Sequence, residues 1–189
     1  SLLEKKFSKK QLQEKITDKT VFIIGAGPSL SKSLTHIKKC KNITKIVADG
    51  AVEALSKKDI KPDILVTDLD GDLNSIRKIG RTKIPIIVHA HGDNQDKLEI
   101  VKDFANVVGT TQTEEFGKMK NFGGFTDGDR CVFLAEFFNA DKIVLIGMDF
   151  GQEIGKYSKH KVVNRKTKLK KLKFGKRILE WFATKSKAD

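Results

Sequence analysis

A doubly wound α/β fold, with a mostly parallel sheet of about six strands, is what this 189-residue sequence predicts. Short apolar runs alternate with stretches of helical spacing. Each run ends on glycine, a carboxylate, histidine or a hydroxyl residue. No repeat or low-complexity linker interrupts the alternation. Short β-rich runs alternating with amphipathic helices are the pattern of βαβ units, whose helices cover both faces of a parallel sheet.

The strands are expected at Val21–Ile24, Lys45–Ala48, Ile64–Val66, Ile84–Val88, Asn106–Val108 and Ile143–Ile146. Helical spacing marks Leu30–Lys39, Val52–Lys57, Gln95–Phe104 and Asp129–Phe138. A helix carrying Leu3, Phe7, Leu12 and Ile16 precedes the first strand, and one carrying Leu169, Leu172, Leu179 and Phe182 ends the chain. Residues 1–160 therefore read as one α/β domain. Residues 161–189 read as a basic helical extension packed on it or trailing from it.

At 39% hydrophobic residues the chain can bury a core. Cys40 and Cys131 form no CxxC or disulfide framework, and no apolar run approaches the length of a membrane span. These features predict a soluble protein of the reducing cytoplasm. The net charge of +13 would suit a polyanion, but it is unevenly placed. Residues 156–189 hold 13 Lys/Arg and only Glu180 and Asp189 as acids, whereas residues 1–155 are almost balanced. The excess belongs to the extension and reads as a solvated helix face, so nucleic acid is not the expected partner.

In open α/β sheets ligands bind beyond the carboxyl ends of the strands, and those ends carry this sequence's motifs. PDILVTDLDG (62–71) runs a short strand into Asp68 and Asp70, with Asp72 next. Carboxylates this close raise one another's pKa unless a cation sits among them, and hard oxygen donors suit Mg²⁺ bound together with phosphates. An EF-hand loop is excluded, because Leu73 and Ile79 occupy its glycine and glutamate positions. The stretch also resembles the DxDGT motif of dehalogenase-type phosphatases. Asp72 stands where that motif has threonine, and GDNQD (92–96) follows too closely to leave room for that family's other elements.

GAGPSL (25–30) joins the first strand to a helix. Gly25 and Gly27 permit close backbone approach, and Pro28 with Ser29 suits a helix start that favours an anion; a tight turn is the structural alternative. Asp49-Gly50 closes the second strand at about the position of a dinucleotide fold's ribose-binding carboxylate. Leu30 in place of the third glycine weighs against an NAD module. HAHGDN offers His89, His91, Asp93 and Asn94. Without further His or Cys they fit phosphate or substrate contacts better than Zn²⁺, with Asp93 for Mg²⁺. Thr110 ends the next strand. GGFTDGDR supplies a flexible Gly123-Gly124, a helix start that Thr126 or Asp127 can cap, and Arg130 as a phosphate clamp. GMDFG places Asp149 at the last strand end, where it can cap a turn or accept two N–H bonds from an amidine-like heterocycle edge.

Taken in order, GAGPSL, ADGA (48–51), PDILVTDLDG, HAHGDN, GGFTDGDR and GMDFG, followed by Gly155-Lys156-Tyr157-Ser158, resemble the archaeal-type 6-hydroxymethyl-7,8-dihydropterin pyrophosphokinases. This is a Rossmann-like family related in its core to thiamine pyrophosphokinases. Thr67 and Gly71 replace the Gly and Ser of the thiamine pattern, which favours the pterin branch. The resemblance implies transfer of pyrophosphate from ATP to a reduced pterin, releasing AMP, with Mg²⁺, in folate- or methanopterin-type cofactor biosynthesis by a homodimer. It implies metal binding by Asp68, Asp70 and Asp93, with Asp49 and Asp72 in reach through water. Arg130 would meet the leaving group. Gly25, Gly27, Pro28, Ser29, Gly50, His89, His91, Asn94, Thr110 and Gly124 would line the nucleotide's site. Asp127 or Asp149 would hold the pterin. A thiamine-directed enzyme, a phosphatase and a non-catalytic nucleotide-binding module are the alternatives.

Overall fold

The structure, a computed structural model, describes residues 9–92, 94–158 and 164–189. Strands β1 (Thr20–Ile24), β2 (Thr44–Ala48), β3 (Ile64–Thr67), β4 (Ile86–His89), β5 (Val107–Thr110) and β6 (Lys142–Ile146) form one sheet in the order β5-β4-β3-β2-β1-β6, every pairing parallel. Helices α1 (Lys9–Ile16), α2 (Leu30–Lys39), α3 (Asp49–Ser56), α4 (Leu73–Gly80), α5 (Asp127–Phe137) and α6 (Arg165–Ala183) flank it. Leu3 and Phe7 of the expected first helix lie outside the described residues.

The alternation of side chains along each strand sorts the core into two layers. Phe22, Ile24 and Leu65 pack with α2, α3 and α4, while Val21, Ile23, Ile64 and Val66 pack with α1, α5 and α6. Each fully buried Ile or Leu contributes about 1.5–3 kcal/mol. The chain steps from β1 outward to β5, then returns through α5 on the other face to β6, beside β1. That reversal is the switch point at which such sheets open a crevice. No helix among the described residues is long and apolar enough to cross a membrane.

Two local differences from the sequence reading have physical causes. Gln95–Asp103 is a 3₁₀ helix rather than an α-helix. Leu98 and Val101, followed by Phe104, meet the core at three-residue spacing, the period of a three-residue turn, with Ile100 partly buried beside them. Helix α4 is an additional element. Its start is set by Asp72, whose carboxylate accepts from the Asn74 and Ser75 N–H groups and the Ser75 hydroxyl. Asp72 is thus an N-cap, and α4 buries Ile76 and Ile79 on the sheet.

Candidate active site

The carboxyl ends of the strands border a cleft of about 350 Å³. Asp49 begins α3, where a helix's free N–H groups favour negative charge. Its Oδ2 accepts from the Thr67 hydroxyl at 2.9 Å and from Gly71 N–H at 3.1 Å, which among the described residues leaves Oδ1 for a ligand. A Cβ on Gly71 would stand 3.0 Å from Asp49 Cγ, a fit that favours glycine there. Asp68 and Asp70 flank Leu69, which is fully buried yet held at φ 66°. A bulky residue in that region is strained, and the strain here turns the chain between two carboxylates. Asp70 N–H donates to Asp68 Oδ1 at 3.2 Å, and the Thr67 hydroxyl accepts from Leu69 N–H at 2.7 Å.

One oxygen from each of Asp49, Asp68 and Asp70 lies within 4.8 Å of the others. Burial, then the charges of Asp70 and Asp68, push the Asp49 pKa up to about 7, against the smaller pull of Thr67 and Gly71. Three hard donors that repel one another when ionised fit a divalent cation of the Mg²⁺ class. Asp93 lies outside the described residues.

Asp127 adds a fourth carboxylate. Burial, followed by the charges of Asp49 and Asp68, raises its pKa well above the usual range. Its Oδ1 is buried with no hydrogen bond among the described residues, 3.7 Å from Arg130 Nη1. Thr126 is the N-cap of α5, one of the two caps expected, and it forms a capping box with Asp129, whose carboxylate accepts from Phe125 N–H and Thr126 N–H at 2.6 and 2.7 Å. Asp127 is thereby left to face the cleft. Gly124, at φ 88°, lies against the Arg130 backbone, where a Cβ would come within 2.8 Å.

Across the switch point, Asp149 Oδ2 accepts from Ser29 N–H at 3.0 Å and from the Ser29 hydroxyl at 2.8 Å. Gly25 N–H and Gly27 N–H donate to Ile146 O and Gly147 O. The glycines of this turn therefore serve the close seating of β1 on the β6 loop. A Cβ on Gly27 would fall 2.2 Å from Asp149 Oδ2. Three of the turn's N–H groups are already engaged, so the turn offers the cleft a wall more than a set of anion donors.

Gly25, Gly27, Pro28, Gly50 and Asp149 line the cleft, as do Asp49, Asp68, Asp70, His91, Asp127 and Arg130. Ser29, His89, Asn94, Thr110 and Gly124 stand behind that wall and hold it. Asn94 Nδ2 donates to Asp68 O at 2.8 Å and to His89 O at 2.7 Å, tying the acidic turn to the end of β4. His89 Nδ1 lies 3.2 Å from the Thr110 hydroxyl. Burial first, then Arg130 and His91, lower its pKa to about 4, with the Gln112 side chain opposing, so the ring is neutral at pH 7. His91 Nε2 sits 3.5 Å from Asp68 Oδ2. Sequence reasoning missed Lys168 and Lys171 of α6, which also line the cleft. Their three-residue spacing was visible, but not where the helix would lie.

The chain is 47% identical over 184 residues to a 6-hydroxymethyl-7,8-dihydropterin pyrophosphokinase of Pyrococcus furiosus, covering 95% of this chain and 78% of that one. It is 42% identical over 190 residues to the protein of the same name from Methanocaldococcus jannaschii, covering 93% and 79%. A third, from Methanothermobacter thermautotrophicus, is 42% identical over 166 residues, covering 84% and 72%. Among solved structures, a MAf glycosyltransferase of Magnetospirillum magneticum superposes with a TM-score of 0.53 at 17% identity, over 80% of this chain and 29% of that one, a likeness of fold alone. The family model described as 6-hydroxymethylpterin diphosphokinase MptE-like matches residues 2–155, and with these relatives it establishes that the chain belongs to that family.

Proposed function

We propose that the protein transfers the pyrophosphoryl group of ATP to the hydroxymethyl oxygen of 6-hydroxymethyl-7,8-dihydropterin. The acceptor oxygen bonds to the β-phosphorus, the bond from that phosphorus to the oxygen bridging to the α-phosphorus breaks, AMP leaves, and the hydroxyl proton passes to solvent. Transfer of this kind is catalysed chiefly by positioning and by neutralising charge on phosphoryl oxygens. The observation that carries the reading is the convergence of Asp49, Asp68 and Asp70 at the ends of β2 and β3. Those three residues would hold Mg²⁺, which when bound offsets charge on the phosphates.

The chain's own residues supply the remainder. Thr67 and Gly71 fix Asp49, and Asn94 fixes the Asp68 backbone. Arg130 faces the cleft beside Asp127, where it can offset negative charge on the departing AMP. Asp149, steadied through Oδ2 by Ser29, has a second oxygen suited to the amino edge of a pterin. Asp127 belongs with the phosphate end of the cleft, beside the other carboxylates.

Incubation with ATP, Mg²⁺ and the reduced hydroxymethylpterin tests this. AMP should form in equal amount with the diphosphorylated pterin, and only when the pterin is present. AMP formed with thiamine but not with the pterin, or inorganic phosphate released without an acceptor, would overturn it.

A further inference from the structure

Helix α6 lies against the start of α5 through a glycine. Gly175 is buried in mid-helix, and a Cβ there would stand 3.3 Å from Asp129 Oδ2 and 4.0 Å from Thr126 Oγ1. Glycine in a helix interior costs about 1 kcal/mol relative to alanine. At this position it lets the helix backbone approach the loop that carries Asp127 and Arg130. Lys168 and Lys171 precede Gly175 by seven and four residues and Leu179 follows by four, which places all of them on one stripe of the helix. All four line the cleft.

The C-terminal half of α6 is the anchor. Leu179 and Phe182 are buried in the core layer with α5, and the Phe182 ring meets Phe133 at 4.8 Å between centroids. The N-terminal half carries its lysines to the rim. Lys168 is half-buried and Lys171 is exposed at the rim of the cleft; Lys166, Lys170 and Lys173, also exposed, lie on the remaining faces and do not line it. The charge of the cleft gives the two lysines a task. Asp49, Asp68, Asp70 and Asp127 face it, yet the only other Lys or Arg along its described wall is Arg130. A polyphosphate entering that space meets acidic groups, the Asp68 and Asp70 carboxylates among them, at distances where salt screens little.

We propose that Lys168 and Lys171 bind the polyphosphate chain of the nucleoside triphosphate, so that α6 supplies two of the three lysine and arginine charges along the cleft's described wall. Lysine is suited to this task as a point charge on a flexible stem. The proposal rests on the proposed function for the identity of the nucleotide. Its test is therefore a binding measurement that needs no turnover.

The Mg²⁺ complex of α,β-methylene-ATP is titrated by calorimetry into the wild type, the double variant K168Q/K171Q and the exposed-face control K173Q, with adenosine as a second ligand. The double variant should bind the triphosphate at least tenfold more weakly and with a shallower salt dependence. Its affinity for adenosine and its Tm should be unchanged, and K173Q should match the wild type. Triphosphate affinity within twofold of wild type in the double variant would overturn the proposal. So would an equal loss for adenosine, an equal effect of K173Q, or a wild type that does not bind the triphosphate. Tight triphosphate binding by a wild type that makes no AMP from the pterin would count against the activity and leave this contact standing.

Discussion

The Thr67 hydroxyl donates to Asp49 Oδ2 at 2.9 Å while accepting from Leu69 N–H at 2.7 Å, so a single oxygen couples the start of α3 to the acidic turn after β3. Removing it should cost more than one ordinary hydrogen bond, because a buried carboxylate loses a donor. Thr67→Val should lower kcat about 10- to 100-fold and raise the Mg²⁺ concentration needed for half-maximal rate, given about 1.5–3 kcal/mol for a hydrogen bond to a charged group. Thr67→Ser should restore most of the activity. A Mg²⁺ titration of the rate for both variants checks this; an unchanged Mg²⁺ requirement in Thr67→Val would refute the positioning role.

Asp70→Asn removes a charge that the metal-free fold holds against Asp49. Turnover should be lost. The metal-free protein should melt at a temperature equal to or above that of the wild type, since like-charge repulsion is relieved. Thermal melts with and without Mg²⁺ should show the ion's stabilisation of the wild type greatly reduced in the variant. Near-normal activity would remove Asp70 from the metal site.

Gly27→Ala forces a Cβ to within 2.2 Å of Asp149 Oδ2 and 2.7 Å of Gly147 O. The second contact is backbone and cannot rotate away. Destabilisation of about 1–3 kcal/mol is expected, the usual range for overpacking. The Ser29–Asp149 bonds should be disturbed with it, so the KM for the pterin should rise. Urea unfolding and steady-state kinetics measure the two effects.

His89 gives a pH signature. Its folded pKa, about 4, lies below the ordinary 6.5, so from pH 6.5 down to 4 the unfolded chain binds a proton that the folded chain does not. The stability this residue contributes is complete above pH 6.5 and declines as pH falls toward 4. The wild type should lose more urea resistance between pH 7 and pH 4.5 than His89→Gln does. Parallel losses in the two proteins would show that the ring is not what titrates.

The layout of sheet and site was readable because each strand announces its end. Leu30–Lys39 is found with the expected bounds, and the carboxylates at 49, 68 and 70 meet because parallel strands bring their C-terminal ends to one edge. Asp72 concealed α4, since an acid after two other acids reads as a ligand when it is in fact a helix cap. The glycines at 25 and 27 suggested open backbone donors, but their N–H groups close onto β6, a partner distant in sequence. The place of α6 had no local signal at all. It depends on Gly175 meeting Asp129, a tertiary contact between residues 46 positions apart.

Leu69 restricts which substitutions this site can tolerate. Glycine there would relax the left-handed backbone but leave a void where a fully buried side chain stood; valine or isoleucine would fill the space and resist the φ of 66°. Both failures would separate Asp68 from Asp70 without touching either. The spacing of two charged groups is thus set by an apolar residue between them, and selection on the chemistry will register as intolerance at a position no substrate reaches.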